Sequence, residues 1–330
     1  MKPITLLEVR SELGAGTRGA SMGVDALRVA CLNQGSDYFR HYGLDTVPDL
    51  NHVLFEPNHF PFAKHIDSIY TVQKGIARAV EMTLRRGEFP LVLSGDHSSA
   101  NATIAGIKAV YPQKTLGVIW IDAHADIHSP FTTPSGNVHG MPLAAALGDD
   151  NLPCQRQQID AETEFFWRRL QNLGEPGPKL RPEHLVYVAV RDTEAEEDAI
   201  IERLGIKHIP VAEVQAKGSR IIAREIYEHL RFCDLVYISF DVDSLDASFS
   251  RGTGTPVEDG LYLSEGENLC QDLLDNERVV CFEMGEINPT LDRENTMADN
   301  AFGILVKATA AIEKRLRLNE VVGRGEAQGL

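Results

Sequence analysis

The 330-residue chain is short of positive charge, of cysteine and of long apolar runs, and each shortage removes a class of protein. Its 32 Lys and Arg stand against 48 Asp and Glu, a net charge of −16. A sequence-independent phosphate binder needs clustered Lys and Arg to displace counterions, so no nucleic-acid partner is expected. The five cysteines, Cys31, Cys154, Cys233, Cys270 and Cys281, are odd in number and widely spaced, without any CxxC. Neither a disulfide frame nor a zinc ribbon is indicated, and most of them read as small core hydrophobes. No run approaches the roughly 20 apolar residues that span a bilayer, so no membrane partner is expected. The opening "MKPITLLEVRSELGAG" reaches Glu8 and Arg10 too soon for the apolar region of a signal peptide. The chain therefore reads as soluble and cytoplasmic.

What is present is a regular alternation. Short runs rich in Val, Ile and Leu ("ITLLEV", "HVLFE", "PLVLSG", "LGVIWID", "HLVYVAV", "DLVYISFD" and "RVVCFEM") are candidate strands. Between them lie segments of helical period near residues 22–33, 65–86, 98–110, 194–204, 218–231, 263–275 and 298–315. That pattern predicts βαβ units and a mostly parallel sheet in an α/β fold. Nothing resembles a flexible linker, so residues 1–330 read as a single domain. Two segments stand apart. Residues 149–183, with one amphipathic helix candidate flanked by Pro and Gly, look like an excursion, and residues 320–330 have no apolar period and read as a frayed tail.

Ligands of an open parallel sheet bind just beyond the carboxyl ends of its strands, so polar residues there are the ones to read for chemistry. Three candidate strands end in acids and histidines: "LVLSGDHS" in Asp96 and His97, "GVIWIDAHADIH" in Asp122, His124 and Asp126, and "LVYISFDVDSLD" in Asp241 and Asp243. Residues i and i+2 of an extended chain project to one side, so each set can converge on a point. Four carboxylates and two imidazoles form a mixed oxygen and nitrogen set that suits two divalent ions of the manganese type better than zinc. One HxD or DxD alone is an ordinary solvated strand end. Three, each at the carboxyl end of an apolar strand run, favour a metal site.

A competing signal is "GAGTRG", which puts Gly14, Gly16 and Gly19 in GxGxxG spacing and taken alone suggests a dinucleotide site. The strand should run straight into the first Gly, yet "RSEL" intervenes, and no second strand ends in an acid about 20 residues on. The nicotinamide-enzyme reading is the weaker one, and a turn or substrate-entrance loop the stronger.

In order along the chain, "SGDHS", "DAHAD", "SGNVHGMP", "SFDVDSLDASF", "GTGTPVEDG" and "EINP" resemble the ureohydrolase family, and within it the arginases, over about residues 4–316. The resemblance implies a three-layer αβα fold with a mostly parallel sheet of about eight strands. It implies a binuclear manganese site, with other divalent metals such as Co²⁺ possible, and a hydroxide bridging the two ions. His97, Asp122, Asp126 and Asp241 look like ligands of one ion, and Asp122, His124, Asp241 and Asp243 like ligands of the other. The implied reaction hydrolyses the guanidinium of L-arginine to L-ornithine and urea. The alternatives are another ureohydrolase, acting on agmatine, a guanidino acid or formiminoglutamate, or a non-catalytic metal-binding homologue. His139 resembles the histidine that shuttles a proton to the leaving amine, although "HGMPLAAAL" equally makes it a helix-start residue. Glu286 resembles the carboxylate that pairs with the substrate guanidinium, and Asp126 joins these two as a catalytic candidate. Thr255 supports the same pocket or is part of an ordinary turn.

Substrate choice depends on the far end of the pocket. Ser135 and Asn137 match residues that arginases use for the substrate α-carboxylate, and Asp192, Glu194 and Glu197 can attract an α-ammonium. His128 stands where an Asn is usual and Glu194 where an Asp is usual, which leaves the preferred guanidino substrate open. His128 reads as a substrate-rim residue or as a structural histidine. In the 149–183 excursion, "ETEFFWRRL" is the helical core, with Phe165, Phe166 and Trp167 read as docking it or lining a subunit contact. Family members commonly form trimers or hexamers, so a homo-oligomer is expected by resemblance.

Overall fold

The computed structural model describes residues 4–327, with side chains as far as residue 317. Eight strands are formed: β1 (Ile4–Val9), β2 (Gly43–Val47), β3 (Phe89–Ser94), β4 (Leu116–Ile121), β5 (Leu185–Val188), β6 (Lys207–Ile209), β7 (Leu235–Asp241) and β8 (Val279–Gly285). They make one sheet in the order β2-β1-β3-β8-β7-β4-β5-β6, and every pair is parallel. Continuous apolar runs are what such strands require, because both faces are covered. On one face Leu6, Leu91, Ile119 and Phe240 pack with residues of the helices Gly23–Asn33, Ser219–His229, Leu263–Leu274 and Thr296–Ala327. On the other, Leu7, Val92, Trp120 and Tyr237 pack with the helices Ile66–Arg85, Ala100–Val110 and Ala161–Gln171. This is the three-layer αβα arrangement that the resemblance implied, with a sheet that is wholly parallel.

Six of the seven candidate strands lie in the sheet. The exception is "HVLFE": residues Asn51–Phe55 form a 3-10 segment, and Phe55 is 94% exposed. The edge position is held instead by β2, "GLDTV", four of whose five residues are exposed, as suits a short polar edge strand. The three-residue β6 at the other edge was also not foreseen. The last helix runs from Thr296 to Ala327, beyond the expected 298–315. Its backbone therefore continues through most of the tail that was read as frayed, since extending a formed helix adds a hydrogen bond per residue without a new nucleation cost. Residues 328–330 lie outside the described residues. Cys31, Cys233, Cys270 and Cys281 are buried as free thiols, in keeping with a core role.

Strand order positions the site. The chain builds β1 to β3, skips two places to lay down β4 to β6, and then returns to insert β7 and β8 into the gap. Four central neighbours, β3, β8, β7 and β4, thus bring their carboxyl ends side by side. Residues separated by up to about 190 positions converge there.

Candidate active site

Each functional side chain is placed where a strand stops. After β3, Asp96 caps a short 3-10 turn by accepting from the Ser98 amide, which turns His97 over the sheet edge. His97 is wholly buried, stacks on Trp120 with ring centroids 4.0 Å apart, and has Nε2 2.7 Å from Ser239 Oγ of β7. Its Nδ1 faces three carboxylates: Asp122 at 3.0 Å, Asp126 at 3.2 Å and Asp241 at 3.2 Å. A second focus lies on the other side of Asp122. His124 Nδ1 is 3.5 Å from Asp122 Oδ1 and 3.0 Å from Asp243 Oδ2. Asp122 and Asp243 are further held by the amides of His124 and Ala123, and Thr255 Oγ1 donates to Asp243.

His97 Nδ1 and Asp122 Oδ2 are buried and have no hydrogen-bond partner, although they approach to 3.0 Å. Orphaned buried polar atoms are costly, and two that face each other among carboxylates fit a cation between them. The groups His97, Asp122 and Asp126, and Asp122, His124 and Asp243, each have ligand atoms within 4.8 Å of one another. Electrostatics agrees. Burial, with repulsion from Asp243 and Asp126, pushes the Asp122 carboxyl up to about 6. Burial, with Asp243 and Asp122, holds Asp241 well above the usual carboxylate range. So many buried acids in one place call for positive charge. The donor set of carboxylate oxygens and imidazole nitrogens suits hard or borderline divalent ions.

Beside this cluster, Glu286 follows β8 with Oε1 accepting from the His97 amide at 2.9 Å and lying 3.0 Å from His139 Nδ1. Burial opposes protonation of His139. The hydrogen bond and charge of Glu286, with Asp126 and Asp96, outweigh it and raise the imidazole to about 9. Burial and the Glu286 charge push Asp96 up to about 6. Glu286 at φ 65° and Asp126 at φ 49° occupy the left-handed region, a strain of about 1–3 kcal/mol each that concentrates at functional sites.

A cavity of about 260 Å³ opens above these groups, and Asp122, His124, Asp126, His139, Asp241, Asp243, Thr255 and Glu286 line it. All of the expected rim residues, His128, Ser135, Asn137, Asp192, Glu194 and Glu197, line it too. His97 lies beneath. His128 is buried, with Nδ1 3.0 Å from Thr132 Oγ1 and Nε2 3.1 Å from Glu194 Oε2. The hydrogen bond from His128 holds Glu194 down at about 2 against its desolvation. Glu197 is buried and accepts from the amides of Ile127 and Glu194, so it also ties the loop after β4 to the start of the helix Ala195–Leu204. Burial and the Glu194 charge keep its carboxyl well above the usual range.

The "GAGTRG" loop is accounted for by close approach rather than by a dinucleotide. A Cβ on Gly14 would fall 2.8 Å from Asp96 Oδ1, and one on Gly16 2.6 Å from Asn137 Nδ2. The His139 amide also donates to Gly14 O. Sequence reasoning missed several neighbours: Trp120 and Ser239 against His97, Arg191, which donates to Asp243 O at 3.0 Å, and Lys64, whose Nζ donates to Asn137 Oδ1 at 3.0 Å. Only the inward alternation of β4 and β7 could have flagged the first two. In the 149–183 segment, Trp167 is buried and donates to Asp150, and Phe166 packs edge-on against Phe60. Both therefore dock the segment, whereas Phe165 is half exposed.

A parallel αβα sheet whose central strand ends gather carboxylates and imidazoles around two adjacent ion-sized foci defines the class of metal-site α/β hydrolases. Comparison with known proteins narrows it. The Arginase family model matches residues 2–310. The arginase of Bacillus caldovelox is 35% identical over 309 residues, covering 92% of this chain and 97% of that one. The arginase of Brevibacillus brevis is also 35% identical over 309 residues, covering 92% and 96%. The native structure of the Bacillus caldovelox enzyme matches with a TM-score of 0.79 at 34% identity, covering 93% of this chain and 98% of that chain. The chain belongs to the arginase family.

Proposed function

We propose that this enzyme hydrolyses the guanidinium group of L-arginine to L-ornithine and urea, as one catalytic domain that carries the 149–183 segment as an insertion. The observation that carries the reading is the shared carboxylate Asp122, with one oxygen facing His97 and the other facing His124, in the same cavity as the Glu286 and His139 pair. In this reading His97, Asp122, Asp126 and Asp241 hold one ion, and Asp122, His124, Asp241 and Asp243 hold the other, with Mn²⁺ the expected metal at both. When bound, two such ions lower the pKa of water and polarise the electrophile.

A guanidinium is resonance-stabilised and stays protonated, so its carbon must be oriented with care. Glu286 is a carboxylate that can pair with it in fork geometry. His139 lies 3.0 Å from Glu286, whose carboxylate favours the imidazolium, and is placed to deliver a proton to the departing amine. Ser135 and Asn137 then face the α-carboxylate, His128 joins the rim, and Asp192, Glu194 and Glu197 supply the negative charge for an α-ammonium. Thr255 acts by holding Asp243. Among the described residues no helix is long and apolar enough to cross a membrane. A cytoplasmic location and a trimeric or hexameric assembly belong to the same proposal by family resemblance.

The test strips the protein with chelator, reloads Mn²⁺, and follows urea from L-arginine, agmatine and guanidinobutyrate, and formamide from formiminoglutamate. Urea from arginine in clear preference is the expected result. Preference for another substrate would keep the metal chemistry and reassign the rim, while silence on all four would refute the proposal.

A further inference from the structure

The cavity lining is rich in acids and, among the described residues, contains no Lys or Arg. A substrate that carries a carboxylate therefore needs positive charge from behind that lining. Lys64 stands there, at the turn before the helix Ile66–Arg85, with its amide donating to Gly136 O at 2.8 Å. Its ammonium donates to Asn137 Oδ1 at 3.0 Å, and among the described residues it meets no carboxylate.

An ammonium has three donors and no acceptor, so it dictates which end of the Asn137 amide turns towards it. With Oδ1 taken, the amide keeps only its two N–H donors for a ligand. Asn137 Nδ2 donates to no protein acceptor among the described residues, and it lies beside Gly16, where a Cβ would fall 2.6 Å from it. The glycine of "GAGTRG" is thus the space that lets the amide sit in this pose.

We infer that Lys64 is a positioning residue for substrate selection: it locks Asn137 as a donor-only group and supplies the positive charge that lets an acidic pocket accept an α-carboxylate. This rests on the reading of the enzyme as an arginine hydrolase. The effect belongs to carboxylate-bearing substrates alone, because the metal ligands, Glu286 and His139 do not touch Lys64.

The experiment compares wild type, Lys64→Met and Lys64→Arg on L-arginine and on agmatine, which lacks the carboxylate. For Lys64→Met the expected result is a KM for arginine raised about tenfold, kcat within about twofold, and agmatine kcat/KM unchanged, the size of one charge-assisted hydrogen bond. Lys64→Arg restores most of the arginine KM. An unchanged arginine KM, or an equal fall for both substrates, overturns the inference. If wild type turns over neither substrate the proposed function fails, and calorimetric binding of L-ornithine against putrescine then decides. Weakening of ornithine alone in Lys64→Met upholds the role of Lys64, and any other pattern, including no binding by wild type, overturns it.

Discussion

Replacing Ser239 by Ala tests whether His97 faces a cation. Ser239 is fully buried on β7, and its hydroxyl is 2.7 Å from His97 Nε2. If Ser239 Oγ accepts the Nε2 proton, the Nδ1 lone pair points at Asp122, Asp126 and Asp241, the tautomer that a metal ligand requires. Removing the hydroxyl strands a buried N–H, at a cost of about 1–3 kcal/mol. Loss of such an outer partner weakens metal binding about 10- to 100-fold. At a Mn²⁺ concentration about 100-fold above Kd, one bound ion stabilises the wild-type fold by about 2.7 kcal/mol. With about 2.1 cal/mol/K of unfolding entropy per residue, 330 residues give about 0.7 kcal/mol/K, so that ion raises Tm by about 4 °C. A site weakened 100-fold gains only about 0.4 kcal/mol at the same concentration, and the rise falls below about 1 °C. The assay is calorimetric titration of chelator-stripped protein with Mn²⁺, together with scanning calorimetry with and without the ion. A Ser239→Ala variant that keeps wild-type affinity and the full Tm rise refutes the assignment of His97 as a ligand.

Three further outcomes are expected. Glu286→Gln keeps an oxygen for the His97 amide but loses the charge proposed to face the guanidinium, so kcat/KM falls by about 10²–10³ while Tm stays within about 2 °C, measured by urea release and calorimetry. Lys179, buried with its ammonium donating to Gln171 O, is lowered by desolvation to about 8. Between there and its ordinary value of 10.5 the unfolded chain binds more protons, so stability rises with pH across that window, by up to about 3 kcal/mol, and below pH 8 the cost is constant. Urea unfolding at pH 8 and 10 should show this rise in wild type and its absence in Lys179→Met. Trp167→Ala empties a fully buried site and releases Asp150, costing about 3–5 kcal/mol, or about 4–7 °C in Tm by calorimetry.

The parts of the fold and site that were legible in the sequence were those set by local rules. Alternation in "DAHAD" and "DVD" marked residues that share a side, and the continuous apolar runs of β1, β3, β4, β7 and β8 required burial on both faces. Edges were not legible: four of the five residues of β2 are exposed and only Val47 is buried, and "HVLFE", although apolar, pairs with no strand among the described residues. Strand order was not legible either, since no local signal says that β7 and β8 return to the middle. Lys64 illustrates the same limit. A lysine just before an amphipathic helix looks like an ordinary solvated charge, and only the folded chain brings it against an amide 73 residues away.

The 149–183 segment shows how such long-range contacts reach the chemistry. Its helix fixes Asp150 with three side chains, Trp167, Arg168 and Gln171. Asp150 O then accepts from Ser129, the residue after His128, while Arg156 and Gln157 donate to the carbonyls of Phe131, Pro130 and Thr133. The loop that carries His128 and Ser135 is thus clamped from outside by polar bonds that the catalytic motifs do not include. Pre-organising that loop lowers the ordering cost of binding without adding a contact to the ligand. If the rim binds substrate as proposed, the docked helix acts on KM and leaves the carboxylate and imidazole cluster, which is held by the strand ends, untouched. That separation is why Trp167→Ala should raise KM for arginine with kcat nearly preserved, and a loss of kcat at unchanged KM would show that the segment reaches the metal ligands instead.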